Sequence, residues 1–370
     1  RRALLSVVID IADANGDMAE TAFEAFTGKP VAELTTGEVR QLLLESGLWT
    51  AFRTRPFDRV PGAEALPLSI FITAMDSHPL APDPAVIIEN SGEAFKAGLA
   101  ALSRLVSNGQ VYVCRKPGQS LPGEALPGVS VHEFQGRHPA GTPGLHMHFI
   151  EPVSRARQSW YLGYQDVIAI GDLMLSGRLN STRIVALAGP GVTRPQLIRT
   201  LAGASLDDLL KGQCSPGENR IISGSVLGGR RAMGTTLGYL GRYHNQVTVI
   251  PESTDRELLG WLAPGVDRFS VLGLFFSRFF SSRAPRFTSD THGGERVMVP
   301  LPVYQKIFAF DLMPVHLLRA LLSEDDEAAE DLGCLELGPE DLALCTFVCP
   351  SKIDYPTLLR AALDRIEEAG

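Results

Sequence analysis

Residues 65–75, ALPLSIFITAM, decide how the first part of this chain folds. The stretch is short and almost entirely apolar, which is typical of a strand that is buried in a sheet. Residues 93–106, EAFKAGLAALSRLV, have the pattern of a strongly amphipathic helix, and residues 110–115, QVYVCR, that of another short strand. A strand, a helix and a strand in this order predict a parallel α/β unit.

The segments on either side add further elements to this unit. Residues 36–48 predict a helix that starts at a threonine and stops at Gly47, and another helix is expected around residues 164–176. The stretch from Lys116 to Gly144 is rich in proline and glycine and long enough to be a functional loop system. Strand-like segments around a short helix then indicate a small β-grasp module; they are TRIVALAG (182–189), SLDDLLKG (205–212), NRIISGSVL (219–227) and QVTVIP (246–251).

Composition limits the classes of function. The chain has 370 residues, enough for two or three domains, and a formal net charge of −8. Nucleic acid is therefore not expected as a partner, because phosphate binding needs a concentrated surplus of Lys and Arg. The five cysteines are sparse and odd in number, which favours a reducing compartment over a disulfide framework. The most apolar stretch, FSVLGLFF (269–276), is far too short to cross a bilayer.

A pair of cysteines raises the question of an iron–sulfur cluster. Cys345 and Cys349 stand in CTFVCPSKIDY (345–355), which has the spacing of the end of a ferredoxin-type ligand run. A complete run would place two more cysteines at positions 342 and 339, but these are Leu342 and Pro339. Two buried, inert thiols are therefore favoured over an intact cluster.

Two histidines offer a second candidate site. His146 and His148 in LHMHF are expected to face the same side of a strand, which is an acceptable spacing for metal ligands. No nearby Cys, Asp or Glu completes a set, so a pair of hydrogen-bonded structural histidines is favoured. The glycine-containing stretches GPG (189–191) and GSVLGG (224–229) lack the spacing that a dinucleotide pyrophosphate requires.

The stretch LWTAFRTRPFDR (48–59) places aromatic residues among arginines. Its chief members are Trp49, Arg53, Arg55 and Phe57. Arginine beside aromatic faces binds planar, electron-poor or anionic ligands, but the same residue types are enriched at protein–protein contacts. Composition favours the interface, and the same two alternatives apply to RFSVLGLFFSRFFSSRAPRF (268–287), which suits a membrane-surface or subunit contact.

Over nearly its whole length the chain resembles a known family. The resemblance is carried by GLWTAFRTRPFDRVP, FQGRHPAGTPGLHMHFIEPVS, GYQDVIAIGDLML, GASLDDLL, YLGRYH and CLELGPEDLALCTFVCPSKIDY. These blocks, in this order, closely resemble the NqrA family, a subunit of the Na+-translocating NADH:quinone oxidoreductase. That family is similar in turn to the RnfC subunit of the Rnf electron-transfer complex and to the NADH-binding subunit of complex I. Its members begin with a barrel-sandwich domain, and the missing initiator methionine agrees with a fragment that lacks it.

The resemblance implies a mixed α/β and α+β fold. The domains expected from it are a remnant of the N-terminal domain and linker at 1–20, a Rossmann-like α/β domain at 21–178, a β-grasp (SLBB-type) module at 179–255, and a mainly helical C-terminal domain with a degenerate ferredoxin-like motif at 256–370.

The resemblance also implies that cofactor sites have been lost. The relatives' flavin loop of the type G-x-G-G-A-G-F-P-T corresponds here to GLWTAFRTRPF, where Trp49, Phe52 and Arg53 replace the glycines that let backbone approach the flavin. The relatives' E-C-E-P motif becomes MDSHP (75–79), and the cluster motif lacks two of its four ligands. We therefore expect no tightly bound flavin, NADH or iron–sulfur cluster, with ubiquinone as a candidate ligand.

The implied function is that of a peripheral subunit on the cytoplasmic face of the bacterial inner membrane, in a complex that reduces ubiquinone with NADH and exports sodium. The expected partners are the other subunits, chiefly the quinone-reducing membrane subunit, and the isolated chain is not expected to be catalytic. Two hypotheses remain for its own role. In the first, a quinone site in the emptied flavin pocket is lined by Trp49, Arg53, Arg55 and Phe57. In the second, the chain is a scaffold, and this hypothesis is favoured over the first. A soluble enzyme with a metal on His146 and His148 is a remote third alternative.

Overall fold

The computed structural model describes residues 6–9, 23–106, 109–253, 264–266, 269, 275–279, 287–291 and 293–370. Most of the expected remnant at 1–20 and most of the aromatic, basic stretch at 268–287 lie outside these residues. Within the part that is described, no helix is both long enough and apolar enough to span a bilayer.

The first sheet has five strands and is mostly parallel. Its strands are β1 (Arg53–Arg55), β2 (Ile70–Thr73), β3 (Val111–Arg115), β4 (Val129–Glu133) and β5 (Ser159–Gly163), in the order β1-β5-β2-β3-β4. Strands β5, β2, β3 and β4 are parallel neighbours, whereas β1 pairs with β5 in the antiparallel sense. Because the chain runs outward from β2 to β4 and then returns to β5, the sheet has a topological switch point beside β2, as Rossmann-like sheets do.

Helices cover both faces of this sheet. They are α1 (Thr36–Glu45), α2 (Pro84–Glu89), α3 (Gly92–Leu105), α4 (Pro143–Ile150) and α5 (Tyr164–Ser176). The first three and α5 share one apolar core with alternate residues of the strands, while Met147 of α4 packs with Phe71 and Cys114 on the opposite face. Helices α3 and α5 approach closely, because a Cβ on Gly171 would overlap the Ala94 carbonyl oxygen.

The second sheet follows directly along the chain. It contains β6 (Thr182–Ala188), β7 (Gln196–Leu201), β8 (Asn219–Ser223), β9 (Arg230–Arg231) and β10 (Gln246–Pro251), with the short helices α6 (Leu206–Leu209) and α7 (Gly234–Leu237). The order is β7-β6-β10-β8-β9, and β6 and β10 are parallel, whereas the other neighbours are antiparallel. This small mixed sheet around a short helix matches the β-grasp module that the sequence predicts.

The C-terminal part is helical. Its helices are α8 (Val303–Ile307), α9 (Pro314–Leu322), α10 (Asp326–Asp331), α11 (Ala343–Val348) and α12 (Tyr355–Glu368). They bury a separate core that includes three of the five cysteines, Cys334, Cys345 and Cys349. The mixed α/β and α+β fold class is confirmed, and the residue bounds of the domains stay a prediction.

The structure corrects two sequence interpretations. The segment LHMHF lies in helix α4 and not in a strand, because Pro143 at the first turn begins a helix and an apolar run shows no period that separates strand from helix. The stretch from Lys116 to Gly144 is not all loop, since it contains β4 and the start of α4.

Candidate functional site

The arginine–aromatic segment begins in the core of the first domain. Trp49 lies in a 3-10 turn, Leu48–Ala51, and its side chain is buried. Its ring meets the rings of Phe52 and Trp160 edge to face, with centroids 5.4 Å away in both cases, and its Nε1 donates to the Pro61 carbonyl oxygen at 2.9 Å. Trp49 therefore fills the space behind the sheet and satisfies its own polar atom.

Arg53 forms an ion pair within the same segment. Its Nε and Nη2 atoms donate to the two carboxylate oxygens of Asp58 at 3.0 and 2.7 Å. Tyr161 on β5 donates to the same carboxylate at 2.6 Å, and the guanidinium of Arg53 lies 5.1 Å from the centre of the Tyr243 ring. Burial alone would raise the pKa of Asp58, but Arg55 and Arg53 hold it well below its usual range.

Arg55 joins the first sheet to the C-terminal helices. Its side chain is fully buried, and its Nη2 donates to Glu340 Oε1 at 2.5 Å. Burial lowers the pKa of Arg55, but Glu340 and the neighbouring phenol and carboxylates outweigh this and raise it. Gly338 makes the contact sterically feasible, since a Cβ there would overlap the guanidinium. The Nε and Nη1 atoms of Arg55 have no hydrogen-bond partner among the described residues.

The last residues of the segment add contacts to the same interface between the first sheet and the C-terminal helices, which is called the joint below. Phe57 is partly buried against the C-terminal core, and its carbonyl oxygen accepts a hydrogen bond from Arg360 at 2.7 Å. Arg59 pairs with Asp364 and Glu367 of α12 at 2.8 and 2.6 Å. The structure thus brings Arg53, Arg55 and Phe57 together at a joint between two domains, and places Trp49 behind them in the core.

A second carboxylate, Asp341, lies buried in the same joint. Gly338 N–H donates to its Oδ2 at 2.8 Å, and the carboxylate lies against Gly144 at the start of α4, where a Cβ would overlap it. Burial and the neighbouring Glu340 raise the pKa of Asp341 to about 7, against the opposing effect of Arg55.

The cysteine pair lies in the C-terminal core. Cys345 and Cys349 are both buried, as is Cys334. Burial raises the pKa of Cys345 and of Cys334 to about 12. Burial would also raise the pKa of Cys349, but hydrogen bonds from Tyr304 and from backbone groups such as that of Ile353 lower it.

The two histidines of α4 point to separate partners. His146 Nε2 donates to the Ala140 carbonyl oxygen at 2.9 Å, and burial lowers the pKa of His146 to about 4. His148 Nδ1 bonds Glu336 at 2.7 Å, and its Nε2 accepts from Asp311 N–H at 3.1 Å. Residues two apart on a helix lie on different faces. Nowhere in the described ranges do three or more His, Cys, Asp or Glu side chains group so that they could hold a metal ion.

A cleft that sequence reasoning missed lies where β2, β3 and β4 end. Its volume is about 420 Å³, and its lining includes Asp76, Ser77, Lys116, Arg137 and His138. The sequence did contain a clue to this cleft, since these polar residues directly follow successive strands, and the carboxyl ends of parallel strands meet at one edge of a sheet. The MDSHP motif lies here, with His78 Nδ1 bonded to Asp76 Oδ1 at 2.8 Å. Burial works against protonation of His78, but this carboxylate raises its pKa overall.

Comparison with known proteins agrees with this architecture. Residues 34–179 match the family model described as "NqrA second alpha/beta domain", and residues 184–234 match the one described as "NQRA C-terminal domain". The chain is 50% identical over 370 residues to the NqrA subunit of the Na(+)-translocating NADH-quinone reductase of Cellvibrio japonicus, covering 100% of this chain and 81% of that protein. The same identity and coverage hold for the corresponding subunits from Klebsiella pneumoniae and Pseudomonas aeruginosa.

A solved structure gives a weaker match. An NAD+-reducing [NiFe]-hydrogenase in the air-oxidized state superposes with a TM-score of 0.49 at 15% identity, covering 92% of this chain and 65% of that one.

The two sheets and the two matching family models define a multidomain protein with an α/β domain and an SLBB-type module. At this identity and coverage, the chain belongs to the NqrA family of the Na(+)-translocating NADH-quinone reductase. It is therefore a subunit of a multisubunit oxidoreductase, and the family expected from the sequence blocks is confirmed.

Proposed function

We propose that this chain is a peripheral, non-catalytic scaffold on the cytoplasmic face of the bacterial inner membrane. It supports electron transfer from NADH to ubiquinone and the export of sodium by holding the other subunits in place, chiefly the quinone-reducing membrane subunit. The relatives are named as subunits of an NADH-quinone reductase that translocates Na+. The flavin, NADH and sodium steps then belong to other subunits.

The observation that carries this proposal is the internal pairing of the arginine–aromatic segment. A quinone head group needs hydrogen-bond donors that are free to reach it. Both carboxylate oxygens of Asp58 bind Arg53, and Glu340 binds the fully buried Arg55. Arg55 thereby connects the first sheet to the C-terminal helical part, whereas Arg53 is held within its own segment, so neither cation is left free for a ligand.

The second candidate function, a contribution to the quinone site, keeps one observation in its favour. The Nε and Nη1 atoms of Arg55 are buried donors that make no hydrogen bond with any residue the structure describes. The Arg53 side chain beside them is 25% exposed. A quinone head group would gain by bonding these two donors, although a long isoprenoid tail prefers the bilayer.

The proposed loss of cofactor sites rests on the same segment and on the cysteines. Trp49 and Phe52 occupy the core where the relatives' glycine loop is expected to approach a flavin. Leu342 and Pro339 stand where a complete cluster motif would place two further cysteines. We therefore propose that neither flavin nor an iron–sulfur cluster binds tightly to this chain.

The test is Arg53→Ala in the assembled complex. The matched control is Arg199→Ala, an exposed arginine on β7 with no side-chain partner among the described residues. A scaffold predicts that the KM for ubiquinone stays within about twofold of the parent value, with the yield of intact complex unchanged or reduced. A rise of about tenfold in KM, with the complex intact and the control normal, would instead support the quinone site.

A further inference from the structure

The cleft at the carboxyl ends of β2, β3 and β4 has the position and size of a small-molecule site. In open α/β sheets ligands bind outside the carboxyl ends of the strands, and the loop after β2, the strand next to the switch point, contributes Asp76 and Ser77 to this cleft. Its volume of about 420 Å³ falls within the range of about 300–1,000 Å³ that such sites occupy. Phe134 contributes an apolar wall, and its ring packs on that of His146 with centroids 4.3 Å apart.

Two cations line this cleft. Arg137 is exposed, and none of the residues described in the structure forms a hydrogen bond or ion pair with its guanidinium. Lys116 is the second cation, and its Nζ lies 3.7 Å from Asp83, a distance that makes a weak pair. The guanidinium and the ammonium are therefore both available to an anion.

A histidine supplies a third donor. Ser77 Oγ accepts a hydrogen bond from Gly141 N–H at 2.8 Å, and it lies 3.2 Å from His138 Nδ1. We assign the hydroxyl proton to Nδ1, because Nδ1 is the acceptor that the described residues offer to this hydroxyl, and the ring proton of His138 then lies on Nε2. Burial and the neighbouring His78 lower the pKa of His138 to about 4, so the ring is a neutral donor at physiological pH.

The lining also holds one carboxylate, Asp76, which offsets one of the two positive charges and is itself engaged by His78. Asp76 Oδ1 accepts from the backbone N–H of His78 at 2.9 Å and lies 2.8 Å from its Nδ1. His78 therefore satisfies this oxygen from two sides. Two cations, one carboxylate and a neutral donor therefore line the cleft, with Lys116 in the loop after β3 and with Arg137 and His138 in the loop after β4.

We infer that this cleft binds a small organic phosphate monoester. Three separate donors, on Lys116, Arg137 and His138, match the three terminal oxygens of a phosphate better than the two oxygens of a carboxylate. The apolar wall formed by Phe134 accommodates the organic part. This role is independent of the scaffold role and needs no flavin, quinone or metal.

The test is calorimetric titration of the full chain with adenosine 5′-monophosphate. Adenosine, which lacks the phosphate, and inorganic phosphate, which lacks the organic part, serve as probes of the two halves of the ligand. We expect saturable binding of the monophosphate in the millimolar range or tighter, no saturable binding of adenosine, and displacement of the monophosphate by inorganic phosphate. Equal binding of adenosine, no saturable binding of the monophosphate, or no displacement would each overturn the inference.

Two substitutions locate the site. Arg137→Gln removes one charge-assisted hydrogen bond and is expected to weaken binding about tenfold. Lys116→Gln should act in the same direction. Arg194→Gln, at an exposed arginine before β7, is the matched control and should leave the affinity within about twofold. All three side chains lie at least partly in solvent, so unchanged thermal midpoints are expected, and binding that Arg137→Gln does not weaken would place the ligand elsewhere.

Discussion

Replacing Glu340 by Gln should loosen the joint between the first sheet and the C-terminal helices. The substitution keeps the shape of the side chain and removes the negative charge that faces Arg55 at 2.5 Å. The fully buried guanidinium would then have Asp58, at 4.0 Å, as its nearest carboxylate. A buried cation that loses its partner retains its desolvation cost without the compensating attraction.

The expected size of the effect follows from the burial of the two partners. Removing one partner of a fully buried ion pair costs about 3–5 kcal/mol. Glu340 is 25% exposed, Asp58 compensates in part, and Asp341 loses a repelling neighbour, so we expect about 2–3 kcal/mol. The loss should appear in the free energy of unfolding of the full chain.

The assay is urea denaturation followed by tryptophan fluorescence, since Trp49 and Trp160 lie in the core next to the joint. Glu327→Gln on α10 is the control, because this glutamate is exposed and has no partner among the described residues. It should change the free energy of unfolding by less than about 0.5 kcal/mol. A change of less than about 0.5 kcal/mol for Glu340→Gln as well would show that the pair of Arg55 and Glu340 does not stabilise the fold.

Three further changes have defined outcomes. Burial lowers the pKa of His146 from 6.5 to about 4, so on acidification the unfolded chain takes up a proton before the folded chain does. The free energy of unfolding should therefore fall below about pH 6.5, by about 2 kcal/mol at pH 5. His146→Gln should remove this part of the pH dependence, measured by urea denaturation at about pH 7 and about pH 5. Gly171→Ala should cost about 1–3 kcal/mol in the same assay, because its Cβ would overlap the Ala94 carbonyl oxygen, and an unchanged midpoint would contradict the close packing of the helices. The purified chain should be colourless with substoichiometric iron, and Cys345→Ser together with Cys349→Ser should not alter its absorbance; stoichiometric iron with acid-labile sulfide in the parent chain would contradict this.

Elements with strong local signals could be predicted from the sequence. Helix α1 could be predicted because a threonine precedes its apolar pattern. The structure adds the reciprocal capping box between Thr35 and Glu38. Helix α3 and the strands β2 and β3 follow from their hydrophobic periods. In these segments local propensity and tertiary burial favour the same structure.

Strand β1 had no such signal. Its residues, Arg53–Arg55, read RTR, which is neither apolar nor rich in strand-forming residues. It forms because it pairs with β5 at the edge of the sheet and because its arginines find Asp58 and Glu340. Glu340 lies 285 residues away along the chain, a distance at which one sequence alone gives no pairing information.

The segment LHMHF shows a different limit. Histidines two apart fit one face of a strand, and the apolar residues around them fit a buried strand and a buried helix equally well. Pro143 directly before the segment was the signal for a helix start. The candidate residues Trp49, Arg53, Arg55 and Phe57 could be found from composition, but only the fold shows that their partners are internal.

The scaffold role is tested most directly by equilibrium binding of a water-soluble short-chain ubiquinone to the full chain, followed by NMR or calorimetry, with Arg53→Ala measured alongside. We expect no saturable binding at millimolar quinone, because Asp58 and Glu340 already pair with the arginines that would hold the head group. Saturable binding that Arg53→Ala weakens would instead make this chain part of the quinone site and exclude a role as scaffold alone.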